Sequence, residues 1–203
     1  GIAQDGREHL LPYGAMVFNG FGPRNELFER SLADVEPRVP WIMGACRREN
    51  LRPGGLGDQV YQGADAGLVT HDEALLLVRS FLSAGLDTTV DALGILVHLF
   101  AEHPGEWAKL RADPSLVKNA IEEALRLESP LQTVFRTTTE STELAGLSIA
   151  KNQKVMLSMG CINRDPLRWP DPTRFDITRR TAGHAGFGGG IHGCIGQVVA
   201  RLE

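Results

Sequence analysis

The 203 residues fit one ordinary domain with a sizeable core, and 42% hydrophobic against 23% charged residues is a globular balance with no bias towards disorder. A net charge of −4 argues against a dedicated nucleic-acid binder, which carries a basic excess. Three cysteines, Cys46, Cys161 and Cys194, are too few and too scattered for a secreted disulfide framework, so a reduced, cytoplasmic chain is expected.

No signal peptide opens the sequence. It starts at Gly1 rather than Met, and Glu203 falls inside a starting helix, so a fragment truncated at both ends is expected. The first half reads as helix. Arg7 to Phe18 has helical spacing with Pro12 near its first turn, and a second pattern runs from Asn25 towards Cys46, interrupted near Pro37 and Pro40. Arg52 to Gly55 is a turn. Thr70 is an N-cap with Glu73 completing a capping box, and from there one helix of about 30 residues is predicted to His103, before Pro104. Its apolar circumference implies a helix through the centre of a large core, which 203 residues are not expected to surround completely. Arg79, Asp87 and Asp91 interrupt the apolar run, so no membrane span is expected. Two shorter helices, Pro104 to Ala112 and Ser115 to Leu127, precede a change of period. Thr133 to Thr139 reads as a strand, and Glu143 to Ile149 and Lys154 to Ser158 as strands flanking a turn at Ala150 to Gln153. Asn163 to Ala185 is loop-like, and a glycine turn leads to a last helix from about Ile195.

Three signals carry chemistry. The first is Phe187-Gly188-Gly189-Gly190-Ile191-His192-Gly193-Cys194-Ile195-Gly196. A phosphate cradle would need a Lys-Ser/Thr ending and a preceding strand, and a zinc site a second ligand pair; neither is present. A thiolate at a helix N-terminus, favoured by free backbone amides, fits the run better, and its glycines permit close approach of a flat cofactor. The second is Glu123-Ala124-Leu125-Arg126, an i, i+3 pair that alone would read as a solvated surface pair. The third is Ala84-Gly85-Leu86-Asp87-Thr88-Thr89, an acid and hydroxyls in an apolar helix. Such groups are costly unless hydrogen-bonded or functional, and the plain alternative is Thr88 bonding the carbonyl four residues back.

The ten-residue run resembles the haem-binding loop of the cytochrome P-450 superfamily, F-x-x-G-x-(H/R)-x-C-x-G, with every fixed position filled. The resemblance covers essentially residues 1–203, from about the F helix to the start of the L helix. It implies a mainly α fold with small β-sheets, the C-terminal part of the P-450 fold. It also implies haem b (iron protoporphyrin IX), with Cys194 as the iron ligand and Phe187, His192, Gly196, Gly85 and Arg136 around the cofactor. Glu123 and Arg126 would be joined by Arg174, from Pro172-Thr173-Arg174-Phe175, in a buried network beneath the haem. Asn163-Arg164-Asp165-Pro166 would be a structural turn. Asp87 and Thr88 would deliver protons on the distal face.

The implied activity is a monooxygenase using dioxygen, with electrons from an iron–sulfur ferredoxin and an NAD(P)H-dependent ferredoxin reductase; the ferredoxin would dock on the Cys194 side. An electron carrier or gas sensor needs a thiolate too, but no proton relay, and the isolated stretch could itself be inert. Details around Tyr13, Val17, Phe18, Phe21 and Arg79 to Gly85 resemble the bacterial subfamily acting on para-substituted benzoates. There Phe18 and Phe21 would cover a small aromatic carboxylic acid, and Arg79, Ser80 and Ser83 would lie near its carboxylate. A satisfied core ion pair is the alternative for Arg79. Val134 replaces an aromatic residue of that subfamily, which predicts a roomier pocket. No nucleic-acid or membrane partner is expected.

Overall fold

Prolines and turn residues cut the first half of the chain into short helices. The computed structural model describes residue 2 and residues 4–203, which form two compact units, residues 1–89 and 90–203. In the first, a 3-10 turn (Arg7–His9) leads into α1 (Leu10–Asn19), with Pro12 in the first turn, where a missing N–H breaks no helical bond. Asn25 caps α2 (Glu26–Val35) by accepting the Phe28 N–H at 3.1 Å. A 3-10 turn at Glu36–Arg38 and α3 (Val39–Ala45) each take a proline in their first turn, which explains the interrupted pattern. Then come α4 (Leu56–Asp65) and α5 (His71–Ala84). The predicted capping box closes α5: the Glu73 N–H donates to Thr70 Oγ1 at 3.2 Å, and the Thr70 N–H donates to Glu73 Oε2 at 2.7 Å. Two apolar clusters hold this unit, one around Tyr13, Val35 and Ile42, the other around Cys46, Tyr61, Ala74 and Val78.

The single long helix predicted from Thr70 is in fact interrupted. After α5, Gly85 and Leu86 form a turn before α6 (Asp87–Glu102). The reason lies in three residues. Gly85 is a weak helix former, and the Thr88 and Thr89 hydroxyls bond the carbonyls of Ala84 and Gly85 at 2.6 and 2.8 Å, inserting side chains into the helical ladder. The helix is also incompletely covered, as the sequence reading expects. Val90, Leu93 and Val97 are exposed, and Leu99 is the buried residue of α6 among those described. By length and composition alone, His71–Glu102 would pass as a membrane span. Its charges at Arg79, Asp87 and Asp91 and its break at Gly85 and Leu86 count against one.

In residues 90–203, Pro104 starts α7 (Pro104–Ala112), and a short 3-10 turn leads into α8 (Val117–Leu127). Ala120, Ala124 and Leu127 of α8 pack with Leu99, Phe175 and Ile177. The strands pair differently from the sequence reading. β2 (Thr142–Leu144) and β3 (Leu147–Ile149) form a hairpin of their own, and β4 (Lys154–Ser158) pairs antiparallel with β1 (Thr133–Thr137). Glu143 to Ile149 is therefore two strands, because Ala145 (φ 51°) and Gly146 (φ 78°) make a two-residue left-handed turn. Next come α9 (Met159–Ile162), the irregular stretch to Ala185, a 3-10 turn at Gly190–His192 and α10 (Gln197–Ala200). The fold is mainly helical with small antiparallel sheets.

Candidate functional site

α8 presents two adjacent acids, Glu122 and Glu123, about 100° apart around the helix axis, so one can turn inward while the other faces the chain's last segments. Glu123 and Arg126 are fully buried, and the pair is bidentate: Arg126 Nε and Nη2 donate to Glu123 Oε2 and Oε1 at 2.7 and 3.0 Å. The remaining Arg126 donors reach the carbonyls of Asn163 (2.6 Å), Pro172 (2.9 Å) and Arg174 (3.4 Å). Every donor of this guanidinium is used, which is what burial of an ion requires. Glu123 also accepts the Asp176 N–H at 3.1 Å.

Arg174 does not complete this network as expected. Its side chain is largely exposed and lies 3.9 Å from Asp176, while its carbonyl is what the network uses. The second guanidinium on Glu123 belongs to Arg179, whose Nε donates to Oε1 at 2.9 Å. The cause is the turn at Asp171 (φ 46°) to Arg174: it aims the Arg174 carbonyl inward, and five residues on the chain returns Arg179 to Glu123.

The glycine run is tied to the same helix. His184 Nε2 meets Glu122 Oε2 at 2.7 Å, its Nδ1 accepts the Gly186 N–H at 3.0 Å, and the Ala185 N–H donates to the buried Asn163 side chain at 2.6 Å. Arg201 ion-pairs with Glu122 and stacks on Phe187 at 4.4 Å. The Phe187 carbonyl accepts the Cys194 N–H at 2.8 Å, closing the loop. Gly188 and Gly190 have φ of +68° and +60°, and a Cβ on Gly188 would meet the His192 carbonyl at 3.1 Å, so glycine is required there. Cys194 and His192 are exposed, and Gly196 follows with room for a Cβ. Burial pushes the Glu122 carboxyl up, but the Arg201 and His184 hydrogen bonds outweigh that and hold it below its ordinary value. In β1, Val134 is half-buried opposite Leu157, and Arg136 pairs with Val155 and donates to the Phe135 carbonyl at 2.8 Å.

The remaining candidates lie in residues 1–89. Phe18 and Phe21 make an edge contact at 5.9 Å, with Phe21 exposed. Arg79 is half-buried, and its Nε is buried without a hydrogen-bond partner among the described residues. The Arg79 charge is felt at Tyr13 and Cys46, both buried. Burial raises Tyr13 above its ordinary pKa, against the pull of Arg79 and a hydrogen bond with Ser83. Ser80 is exposed and bonds the Leu76 carbonyl at 2.9 Å, while Ser83 is buried and bonds the Ser80 carbonyl at 3.2 Å. A Cβ on Gly85 would stand 3.0 Å from the Phe81 carbonyl oxygen. Asp87 lies so close to α1 that a Cβ on Gly14 would come within 2.4 Å of its Oδ1. Thr88 makes the bond to Ala84 that the plain alternative foresaw.

The sequence profile "Cytochrome P450" matches residues 56–203. The chain belongs to the cytochrome P450 family. It is 55% identical over 203 residues to "Cytochrome p450 CYP199A2" of Rhodopseudomonas palustris, covering 100% of this chain and 49% of that protein. It is 44% identical to "Cytochrome P450 107B1" of Saccharopolyspora erythraea, covering 100% of this chain and 50% of the relative. Among solved structures, P450BioI in complex with hexadec-9Z-enoic acid ligated acyl carrier protein superposes with a TM-score of 0.87 at 30% identity, covering 100% of this chain and 53% of that one. The chain thus spans about half the length of the P450 relatives it matches.

Members of the P450 family bind haem b. The residues here suit it. Cys194 is an exposed thiol at the end of the glycine loop, and a thiolate is a known protein ligand of haem iron. Ile191 and Ile195 on either side of Cys194 are 97% and 86% exposed, an apolar surface matched to a flat apolar ring. Sequence reasoning missed Arg179, Glu122 and His184. The doubled acid at Glu122-Glu123 and the arginine seven residues after Cys194 were the available signals.

Proposed function

We propose that this chain is part of a haem-dependent monooxygenase that hydroxylates or O-demethylates a small aromatic acid of the para-substituted benzoate class. The observation that carries the reading is Cys194, exposed at the end of a glycine loop that hydrogen bonds tie back to α8. Cys194 would hold the iron, with Arg136 and His192 as donors to the propionates and Phe187 packing the loop. Haem, when bound, would supply the oxidising chemistry, in which dioxygen, two electrons and two protons give one oxygen atom in the substrate and one water. Loss of Asp87 or Thr88 would remove the groups that hold and pass those protons. Gly85 keeps that stretch of backbone open.

Arg79 supports the substrate class. A half-buried guanidinium with an unpartnered Nε is stabilised by a carboxylate, and Ser80 and Ser83 are hydroxyls on the same helix. Phe18 and Phe21 offer aromatic faces to the ring. Val134, smaller than the aromatic residue of the benzoate subfamily, would leave space at the para substituent. For a para-methoxy group, hydroxylation of the methyl carbon gives a hemiacetal that breaks down to the phenol and formaldehyde. The partners in this reading are dioxygen, an iron–sulfur ferredoxin and its NAD(P)H-dependent reductase, in the cytoplasm.

The test is spectroscopic. The reduced full-length protein should give the long-wavelength carbon monoxide band of a thiolate-ligated haem, and 4-methoxybenzoate should shift its resting haem towards high spin. Absence of the band removes the haem-thiolate reading. A normal band with no response to any para-alkoxy or para-alkyl benzoate removes the substrate class alone.

A further inference from the structure

Glu122 and Glu123 are neighbours on α8 with separate tasks. Glu123 holds the irregular chain that carries Asp176 and Arg179. Glu122 faces the segments on both sides of Cys194. One of its oxygens meets His184 Nε2 at 2.7 Å and Arg201 Nη2 at 3.2 Å, and the other binds Arg201 Nε. Because His184 Nδ1 accepts the Gly186 N–H, the ring proton sits on Nε2 and points at Glu122. Arg201 in turn lies over the Phe187 ring at 4.4 Å, and His184 approaches the same ring at 6.2 Å, tilted by 46°. Phe187 is thereby contacted by both partners of Glu122, and its carbonyl holds the Cys194 N–H at 2.8 Å.

We propose that Glu122 is a positioning residue for Cys194. It clasps His184, ten residues before the cysteine, to Arg201, seven residues after it, and so fixes the Phe187 carbonyl that orients the cysteine backbone. The clasp touches neither cofactor nor substrate. It works because a shared carboxylate converts two separate chain segments into one unit, and a planar guanidinium can bridge that carboxylate and an aromatic face at once. Glu106, the buried acid of α7, by contrast joins Lys109 to the Ile177 N–H at 3.2 Å and has no hydrogen bond to the glycine loop among the described residues.

The inference rests on Cys194 being the iron ligand, and the experiment separates the two. In the haem-loaded full-length protein, the carbon monoxide spectrum of the reduced form would be recorded for Glu122→Ala, Arg201→Ala, their double variant and the milder Glu122→Gln and Arg201→Lys. Far-UV circular dichroism would be followed in parallel. Expected are thiolate loss accelerated by roughly tenfold in each alanine variant, the size of one charged hydrogen-bonded contact, and a double variant no worse than the singles. The milder variants should fall between, all at temperatures where helix content is unchanged. A wild-type protein without the long-wavelength band would remove Cys194 as ligand. A normal wild-type band, with variants that lose it no faster or only as the helices melt, would overturn the clasp. Should the alanine variants fail to fold, Glu122→Gln and Arg201→Lys decide the matter alone.

Discussion

Residues 90–203 bury charges, whereas residues 1–89 mostly bury neutral polar groups. In the later unit Glu123 and Arg126 are fully enclosed, and each charged atom has a partner. In the earlier one, burial raises Tyr13, Cys46 and Tyr61 and keeps them protonated, and the cation beside two of them, Arg79, has an Nε with no partner among the described residues. A satisfied ion network fixes backbone that has no regular secondary structure of its own. An orphaned donor adds no such rigidity. Under the proposed function the two regions divide into one that holds and one that would receive the substrate acid.

The largest effect expected is from breaking the holding network. Glu123→Ala leaves two guanidinium groups facing a buried space, at a cost of roughly 3–5 kcal/mol out of a total stability of about 5–15 kcal/mol. Urea unfolding and haem retention of the full-length protein check it. A change below about 1 kcal/mol would mean that the network is solvated in solution.

Next is the pH response, which should divide along the same line. Burial pushes the Cys46 thiol up from 9.0 to about 11. A raised folded pKa gives stability that is complete below the unfolded value and lost as pH rises, here between about 9 and 11, on the order of 2–3 kcal/mol. Tyr13 and Tyr61 act in the same direction above their ordinary value of 10.0. Glu122 and Asp176 have the opposite sign: their pKa values are lowered, so their contribution is present above the ordinary carboxyl range and disappears as pH falls through it. Cys46→Ala should flatten the alkaline limb of a plot of unfolding midpoint against pH and leave the acid limb, and Glu122→Gln the reverse. Equal effects of either variant on both limbs would erase the distinction.

A smaller contrast lies within one loop. Arg179→Ala should cost roughly 2 kcal/mol because it removes a charged hydrogen bond from a buried carboxylate, and Arg174→Ala less than about 0.5 kcal/mol because that side chain is exposed. Chemical unfolding of the two variants ranks them, and the reverse order would restore the sequence-based assignment. This pair also shows what a sequence displays and what it hides. Thr70 and Glu73 were legible because a capping box is local and its two bonds are set by spacing three. Glu123 and Arg126 were legible as partners for the same reason. Arg179 was not, since the choice between two arginines five residues apart depends on the direction of an aperiodic turn at Asp171. The break at Gly85 and Leu86 was hidden because threonines in an apolar run keep the helical period while their hydroxyls compete for the carbonyls. The Ala145-Gly146 hairpin was missed because only glycine, not alanine, signals a left-handed turn.

A small stability change is also expected at a position where the ligand effect is large. Arg79→Ala removes a cation with an orphaned Nε, so unfolding should move by less than about 1 kcal/mol, the lost alkyl packing being offset by relief of an unpaired donor. Affinity for 4-methoxybenzoate, followed by the spin-state titration, should fall roughly thirtyfold, the weight of about 2 kcal/mol for one charged hydrogen-bonded contact. Arg79→Lys keeps the charge but not the planar fork, so it should recover part of the binding. The opposite pattern, several kcal/mol of stability lost with affinity intact, would make Arg79 a second structural ion. The difference between the two regions would then be one of degree, with the substrate acid held by some other group.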